Sequence, residues 1–489
     1  MASRTSRIQQ LSKEIIIYGI ANVLGRFLTF LLTPLYTNYL PMNDVGEIIN
    51  IFSILAFVNI AYSYGMDSSF FRYYEIYKTE NPKQVFSNAY FSILFLCFIN
   101  TLIIEIFAPQ ISVFFNLQNR ITITRLIALI PALDALVLIP FSLLRITNQA
   151  MKFSMFRFVA ILINVALNVI FIVVLHYGVL GIIVAQIISS SAALLMMLPI
   201  ILKNLQFHYD FQLIKKMLAF GLPTVPASIS GIILQVADKP IMRLLTNSQN
   251  VAIYGVNYRL GIPMMLFVSV FEYAWKPFYL NHYKDEDAKE LFSRIFTLFT
   301  IVAMLLLLVW TYSLEFVVRL PFIGGRLIKP DYWVGLDIVP IILFGYFFNG
   351  IYINLTAGFL IEKQTKYLPI AVVTAALINI LANFLLIPNY TYWGGAWATF
   401  IAYLIAAIII YLYSRKIYLI NYDWRSIFET VLISAIFIII NLFLPESNLI
   451  VLFIERLILL IAFVAILYYL KIIKYSDLQV LKSFLKFRR

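Results

Sequence analysis

Apolar runs of about twenty residues recur along the whole chain, and this one feature decides which solvent it folds in. Each run is long enough to cross a hydrocarbon layer of ~30 Å as a helix. Of the 489 residues, 62% are hydrophobic and 12% are charged, against roughly 25% charged in soluble proteins. A chain of this size has too little polar surface to wrap a water-soluble core. The expected fold is all-α and polytopic, with lipid as the solvent for most of the sequence.

Windows bounded by charges, Pro and Gly place helices near 14–39, 45–71, 85–108, 121–145, 154–176 and 178–202, then near 213–245, 250–276, 290–314, 333–360, 366–388 and 392–414. Two more fall near 426–444 and 449–471, giving about fourteen. Alternate loops hold the positive charge. One set has Arg4, Arg7, Lys13, Arg72, Lys78, Lys83, Arg145, Lys152 and Arg157, and continues through Lys203, Lys215, Lys216, Lys276 and Lys284 to Arg415, Lys416, Arg425 and the basic tail. The opposite set has only Arg120, Arg243, Arg319, Arg326 and Lys329. The positive-inside rule then puts both termini in the cytoplasm and favours an even number of spans.

The formal charge of +13 follows from these loops. Lys and Arg are dispersed between apolar runs, not gathered in one patch, so nucleic acid is not an expected partner. Cys97 is the only cysteine, which excludes a disulfide framework and a cysteine metal site. The apolar stretch after the basic N-terminus is long, contains Arg26 and has no small-residue cleavage site, so it reads as a first span. There is no G-x-x-x-x-G-K-[ST] loop. His176, His208 and His282 are scattered, with no metal-ligand spacing and no Ser/His/Asp arrangement. The pattern is that of a non-enzyme, with no cofactor expected and a coupling ion, H⁺ or Na⁺, left open.

The sequence also repeats. Gln149, Asn164 and Asn168 recur 215 positions later as Gln364, Asn379 and Asn383, and Gly181 matches Gly395 one residue out of register. Leu35, Thr37, Asn38 and Gly46 recur 209 positions later as Leu244, Thr246, Asn247 and Gly255. The expected organisation is a six-helix lobe over 1–208, a second over 209–418, and two added helices with a basic tail over 419–489. Two six-helix halves enter the membrane in the same orientation and are related by an axis along its normal. That is transporter architecture with a central cavity, although a repeat does not name a cargo.

Ionisable groups inside a membrane usually face a cavity or a partner, because each costs about 2.5–3.5 kcal/mol at mid-bilayer on insertion scales. Arg26 stands about twelve residues into the first window, roughly 18 Å deep. Arg259 lies inside the eighth, one turn before Pro263. Two guanidinium groups from opposite halves suit an anionic cargo such as a diphosphate. Asp134 on the fourth window is a candidate for the cavity, as coupling-ion ligand or counter-charge. Asp238 and Lys239, before Pro240, are candidates for gating or for a helix-end pair. Asp67 and Glu272, toward the cytoplasmic ends of the second and eighth windows, are gating or interfacial candidates. Glu455 and Arg456 suit local structure or a subunit contact. The pairs Asn164/Asn168 and Asn379/Asn383 each share one helix face and are expected to bond between helices.

The run LTFLLTPLYTNYLPMNDVGEI at 28–48 resembles the first-helix region of polysaccharide flippases. So does DKPIMRLLTNSQNVAIYGVNYRLG at 238–261, and INILANFLLIPNYTYWGGAWATFIAY at 378–403 resembles the eleventh and twelfth helices of the same family. That family lies in the multidrug, oligosaccharidyl-lipid and polysaccharide exporter superfamily. The resemblance implies two lobes working by alternating access in a bacterial cytoplasmic membrane. It implies an undecaprenyl-diphosphate-linked oligosaccharide as cargo, with a polysaccharide polymerase and chain-length machinery as partners besides the bilayer. It also implies that Arg26 and Arg259 serve as cationic cavity residues. The lipid II flippase branch carries more arginines around the first two helices than Arg26 alone. A drug/cation antiporter of the same superfamily would present cavity carboxylates. A membrane transferase or polymerase would show a large extracytoplasmic loop or a His/Asp cluster.

Overall fold

The structure, a computed structural model, describes Gly25 and residues 28–114, 121–444 and 448–473. Nearly all of them are helical, as the apolar runs require: in lipid the backbone must satisfy its own polar groups. In chain order the helices are α1 (Leu32–Tyr39), α2 (Met42–Ser63), α3 (Met66–Ile76), α4 (Pro82–Ile106), α5 (Ala108–Phe114), α6 (Ile121–Leu136) and α7 (Leu138–Ile146). Next come α8 (Ala150–Val169), prolonged by a π-helical turn over Ile170–Val174, α9 (Gly178–Asn204), α10 (Phe211–Gly221), α11 (Val225–Val236), α12 (Asp238–Leu245), α13 (Ser248–Arg259) and α14 (Ile262–His282). The last are α15 (Ala288–Arg319), α16 (Val339–Leu355), α17 (Ala357–Ile361), α18 (Tyr367–Ile417), α19 (Trp424–Leu442) and α20 (Leu449–Tyr469).

Eleven segments among the described residues are long and apolar enough to cross a membrane, or twelve if the bent pair α13–α14 is one span. The 51-residue α18 carries a non-helical Thr391 (φ 48°, ψ −122°) just after Pro388, at the point where the sequence divides the windows 366–388 and 392–414. At 1.5 Å per residue an unbroken helix of that length would be about 75 Å long, over twice the hydrocarbon thickness. Half of the first expected window, 14–39, and all of the tail from Lys474 lie outside the described residues, so the figure of fourteen is not reached by the described helices alone. Large apolar side chains stay exposed along the spans, among them Phe95, Phe98, Leu195, Leu202 and Ile461, as expected where lipid is the solvent.

The repeat recurs in the backbone. Asn148 (φ 56°) and Lys363 (φ 57°), 215 apart, both take a left-handed conformation. The next residue closes the same turn in each case, Gln149 N to Leu144 O and Gln364 N to Phe359 O, both at 2.8 Å. His176 (φ 54°) and Thr391 (φ 48°), again 215 apart, mark the second break.

By contact the chain forms two compact units. The first holds the described residues through Arg259, with Pro321–Ile338 and Pro369–Ala402. This partition cuts across the halves 1–208 and 209–418, because residues 209–259 pack against the earlier helices. A core of Tyr62, Phe70, Phe86, Ile139, Met197 and Met217 joins α2, α3, α4, α7, α9 and α10. Gly65 (φ 77°) turns the chain from α2 into α3, and a Cβ there would lie 2.4 Å from the carbonyl oxygen of Gly221. The tightest crossing is that of α2 with α13. A Cβ on Gly46 would meet the carbonyl oxygen of Ser248 at 1.8 Å, and one on Gly255 would meet the Ile49 side chain at 2.7 Å. These are the two glycines that the 209-residue repeat pairs, and they stand on the two partners of one crossing.

The second unit holds Leu260–Leu320, Val339–Leu368 and the described residues from Tyr403 on. Its aromatic core gathers Trp275, Tyr279 and Phe292, with the Trp275 and Phe292 rings edge to face at 5.3 Å. Arg456 on α20 donates to Tyr312 O (2.8 Å), Glu315 (3.2 Å) and Asn441 (3.1 Å). It thereby ties the apolar α20 to α15 and α19.

Candidate functional site

The first unit contains a cavity of about 700 Å³, within the size range of sites that hold small ligands. Its wall combines four ionisable residues, Asp67 on α3, Asp134 on α6, Arg145 on α7 and Arg157 on α8, with Asn59, Asn164, Gln186 and Ser190. Three of these charges have a structural reason to be tolerated. The Arg157 guanidinium lies 5.4 Å from the Phe153 ring centre and 5.8 Å from that of Phe141. Arg145 lies 5.1 Å from that of Phe71. Cation–π contacts of this kind shelter a guanidinium while leaving its N–H groups free to meet an anion. Asp134 accepts a hydrogen bond from Ser190 at 2.7 Å and interacts electrostatically with Arg157. Among the described residues no group of three or more His, Cys, Asp or Glu could hold a metal ion.

The cavity corrects the sequence reading at two positions. Arg145 and Arg157, expected among the charges of a cytoplasmic loop, both sit in helices and line the cavity. The signal was present in the sequence. Arg157 falls inside the fifth apolar window, seven residues before Asn164, so both lie on one face of α8 two turns apart.

Asp238 and Lys239 form a buried pair elsewhere in the same unit, with Lys239 Nζ 2.8 Å from Asp238 Oδ1. Tyr254 donates a hydrogen bond to Asp238 Oδ2, and Thr399 approaches the same oxygen at 3.4 Å. The ammonium also donates to Gln235 O (3.1 Å) and stands 4.0 Å from the centre of the Tyr258 ring. Neither residue is among those that line the cavity. A charge pair so fully partnered locks the junction of α11 and α12 to α13 and α18.

Arg259 closes α13 and donates to Thr33 at 2.9 Å; it too is absent from the cavity wall. Arg26 lies outside the described residues. Asp67 lines the cavity beside Asp134, whereas Glu272 is exposed on α14 in the second unit, one turn before Lys276. The two Asn pairs make the same bond within their own helix, Asn168 to Asn164 Oδ1 at 3.2 Å and Asn383 to Asn379 Oδ1 at 3.0 Å. Only Asn164 goes on to another helix as a donor, giving its amide proton to Gln186 at 2.9 Å.

A profile of the family described as polysaccharide biosynthesis protein matches residues 39–324, more than half of the chain. The chain belongs to that family. No curated protein matches the sequence. Among solved structures the chain is similar to the lipid II flippase MurJ in an inward closed conformation, with 18% identity, 93% of this chain and 99% of that one covered, and a TM-score of 0.73. It is also similar to an inward-facing multidrug resistance MATE family transporter of the MOP superfamily (15% identity, 80% and 94% covered, TM-score 0.64). A third likeness is the MATE multidrug transporter DinF-BH (18%, 86% and 96%, TM-score 0.58). At these identities the likeness establishes the fold. This member of the polysaccharide biosynthesis family is an all-α membrane protein with the fold of flippases and transporters of the MOP superfamily.

Proposed function

We propose that this chain is a flippase that moves an undecaprenyl-diphosphate-linked oligosaccharide from the inner to the outer leaflet by alternating access between two six-helix lobes. One observation carries the reading: a cavity walled by transmembrane helices holds two aromatic-backed guanidinium groups, with neutral hydrogen-bonding side chains and the carboxylates Asp67 and Asp134 in the same wall. Arginines can take a diphosphate through paired, charge-assisted bonds, and amides and hydroxyls can take sugar hydroxyls. The prenyl chain stays in lipid. Arg145 and Arg157 join Arg26 and Arg259 as candidates for that cationic role. By the positive-inside rule, the Arg145 end of the cavity opens to the cytoplasm of a bacterial cell, where such a precursor is made, and both termini lie on that side. A polymerase with its chain-length machinery would receive the product.

The test is flipping of a fluorescent polyprenyl-diphosphate oligosaccharide by the purified chain in proteoliposomes. Arg157→Ala and Arg145→Ala should each lower the rate at least about tenfold, since a charge-assisted bond is worth about 1.5–3 kcal/mol. Unchanged rates in both variants would remove the reading. The second reading, a drug/cation antiporter, is favoured by Asp67 and Asp134 in the same wall. It predicts instead that a cationic dye is transported and that Asp134→Asn abolishes this.

A further inference from the structure

Five hydrogen bonds join the cavity to α1 in one direction. Ser190 Oγ donates to Asp134 Oδ1 at 2.7 Å, Gln186 Nε2 to Ser190 Oγ at 3.3 Å, and Asn164 Nδ2 to Gln186 Oε1 at 2.9 Å. Asn168 Nδ2 then donates to Asn164 Oδ1 at 3.2 Å, and the Tyr36 hydroxyl to Asn168 Oδ1 at 2.9 Å. The order follows from the first member. A carboxylate only accepts, so Ser190 must donate to it. The hydroxyl oxygen is then free to accept from the Gln186 amide, whose carbonyl end faces Asn164, and so on to Tyr36. Hydrogen bonds aligned head to tail polarise one another.

The chain is capped by opposite charges. Asp134 stands where the donor ends point. Beyond Tyr36, whose lone pairs point away from Asp134, stands Arg259, which interacts electrostatically with Tyr36 and is bonded to Thr33 on the same helix. Arg259 is the last residue of α13, the helix whose first residue, Ser248, packs on Gly46. The repeat supplies a comparison inside the same molecule. Asn379 and Asn383 keep the intrahelical bond, but Asn379 Nδ2 and Asn383 Oδ1 have no partner. One copy of the Asn pair is wired between helices and the other is not.

We propose that Asp134 is the proton-binding site of the transport cycle and that this chain carries its charge state to the α2–α13 crossing. A hydronium ion gives its proton to the Asp134 carboxylate: one hydronium O–H bond breaks, the carboxyl O–H forms, and water and a neutral acid remain. The acid can donate to Ser190; each amide then turns over, Asn168 Nδ2 giving up its 2.8 Å bond to Asn164 O as well, and Tyr36 changes from donor to acceptor. The positive end of the chain then faces Arg259 and weakens its hold on α1. A proton suits the site better than a metal cation. Asp134 is the single carboxylate at the end of the chain, Arg157 and Arg145 face the same cavity, and among the described residues only Asp67 adds a second negative charge there. On α4, packed against α6, Glu105 is taken by Arg125 at 3.6 Å, and Cys97 points at Ala132 O. The device is independent of the cargo, so failure of the flippase reading would leave it standing.

The experiment uses the full chain in detergent, with no cargo present. Cys97→Ala removes the only native cysteine, and Ile49→Cys places a reporter where Ile49 meets Gly255. The maleimide labelling rate is expressed relative to the same protein unfolded at the same pH. Lowering the pH from about 8 to about 5.5 should raise the relative rate at least about fivefold, the lower end of common coupling factors. Asp134→Asn should be fast and independent of pH, and Asp134→Glu should restore the dependence. Tyr36→Phe, which keeps the ring and removes the donor, should abolish the dependence although Asp134 remains. A dependence that survives Asp134→Asn would overturn the site, and one that survives Tyr36→Phe in full would overturn the route. A rate that follows sodium at fixed pH, or no response at all, would overturn the proton.

Discussion

Replacing Gly46 by Ala adds one carbon at the place where the structure has least room for it. The new Cβ would lie 1.8 Å from the carbonyl oxygen and 2.7 Å from the carbonyl carbon of Ser248. Both atoms are backbone, so no side chain can swing aside. The helices α2 and α13 must separate until the contact reaches van der Waals distance. Overpacking of this kind costs about 1–3 kcal/mol in well-packed interiors, so the ratio of open to closed crossing should rise about 5- to 150-fold, a tenfold change being about 1.4 kcal/mol. The labelling rate of Ile49→Cys in the Cys97→Ala background reads that ratio directly. Gly231→Ala is the control, because a Cβ on Gly231 meets nothing within 4 Å; it should leave the rate unchanged. If Gly46→Ala is labelled at the parent rate in a folded protein, the crossing is not the close contact described and the reasoning fails.

Three further outcomes follow from particular contacts. Lys239→Met leaves Asp238 buried without its cation and should destabilise the protein by about 3–5 kcal/mol, whereas adding Asp238→Asn should recover most of the loss; thermal unfolding of the purified variants compares them, and a double variant no better than the single would count against the pair. Asn164→Leu strips the donor from Gln186 and should cost about 1–2 kcal/mol, more than Asn379→Leu, whose amide nitrogen has no partner to lose; equal melting points would contradict the asymmetry. Gly65→Ala forces a side chain into a positive φ and against Gly221, and should cost more than about 1 kcal/mol; unchanged thermal stability would refute it.

Much of the fold was legible because its causes are local. Most described spans begin and end within a few residues of their apolar windows, since run length against bilayer thickness does not depend on the partner helix; the window 213–245 is instead broken after Val236. The left-handed turns at Asn148 and Lys363 recur at the 215-residue spacing that the flanking Gln and Asn residues had marked. The site was less legible. Depth along a window is a poor guide to what a side chain faces, because a helix places residues on every side at the same depth. Arg157 passed for a loop charge since it stands near Lys152, although its helix turns it into the cavity. Arg259, expected at a cavity, is absent from the wall of this one and bonds to Thr33. Asp238 and Lys239, read as a helix-end pair or a gate, became legible only once Tyr254, Tyr258 and Thr399 were brought around them.

By itself the sequence determined the solvent, the helical class, the extent of the spans and the internal repeat. These follow from composition and periodicity, which each segment carries alone. Only the tertiary structure decided which charges meet. It put Gly46 and Gly255 on opposite sides of one crossing, gathered Asp67, Asp134, Arg145 and Arg157 around one cavity, and wired one Asn pair while leaving the other open. A hydrogen bond between helices depends on the rotation and approach of both. Residues as far apart as Tyr36 and Asn168 acquire a relation only when the chain has folded.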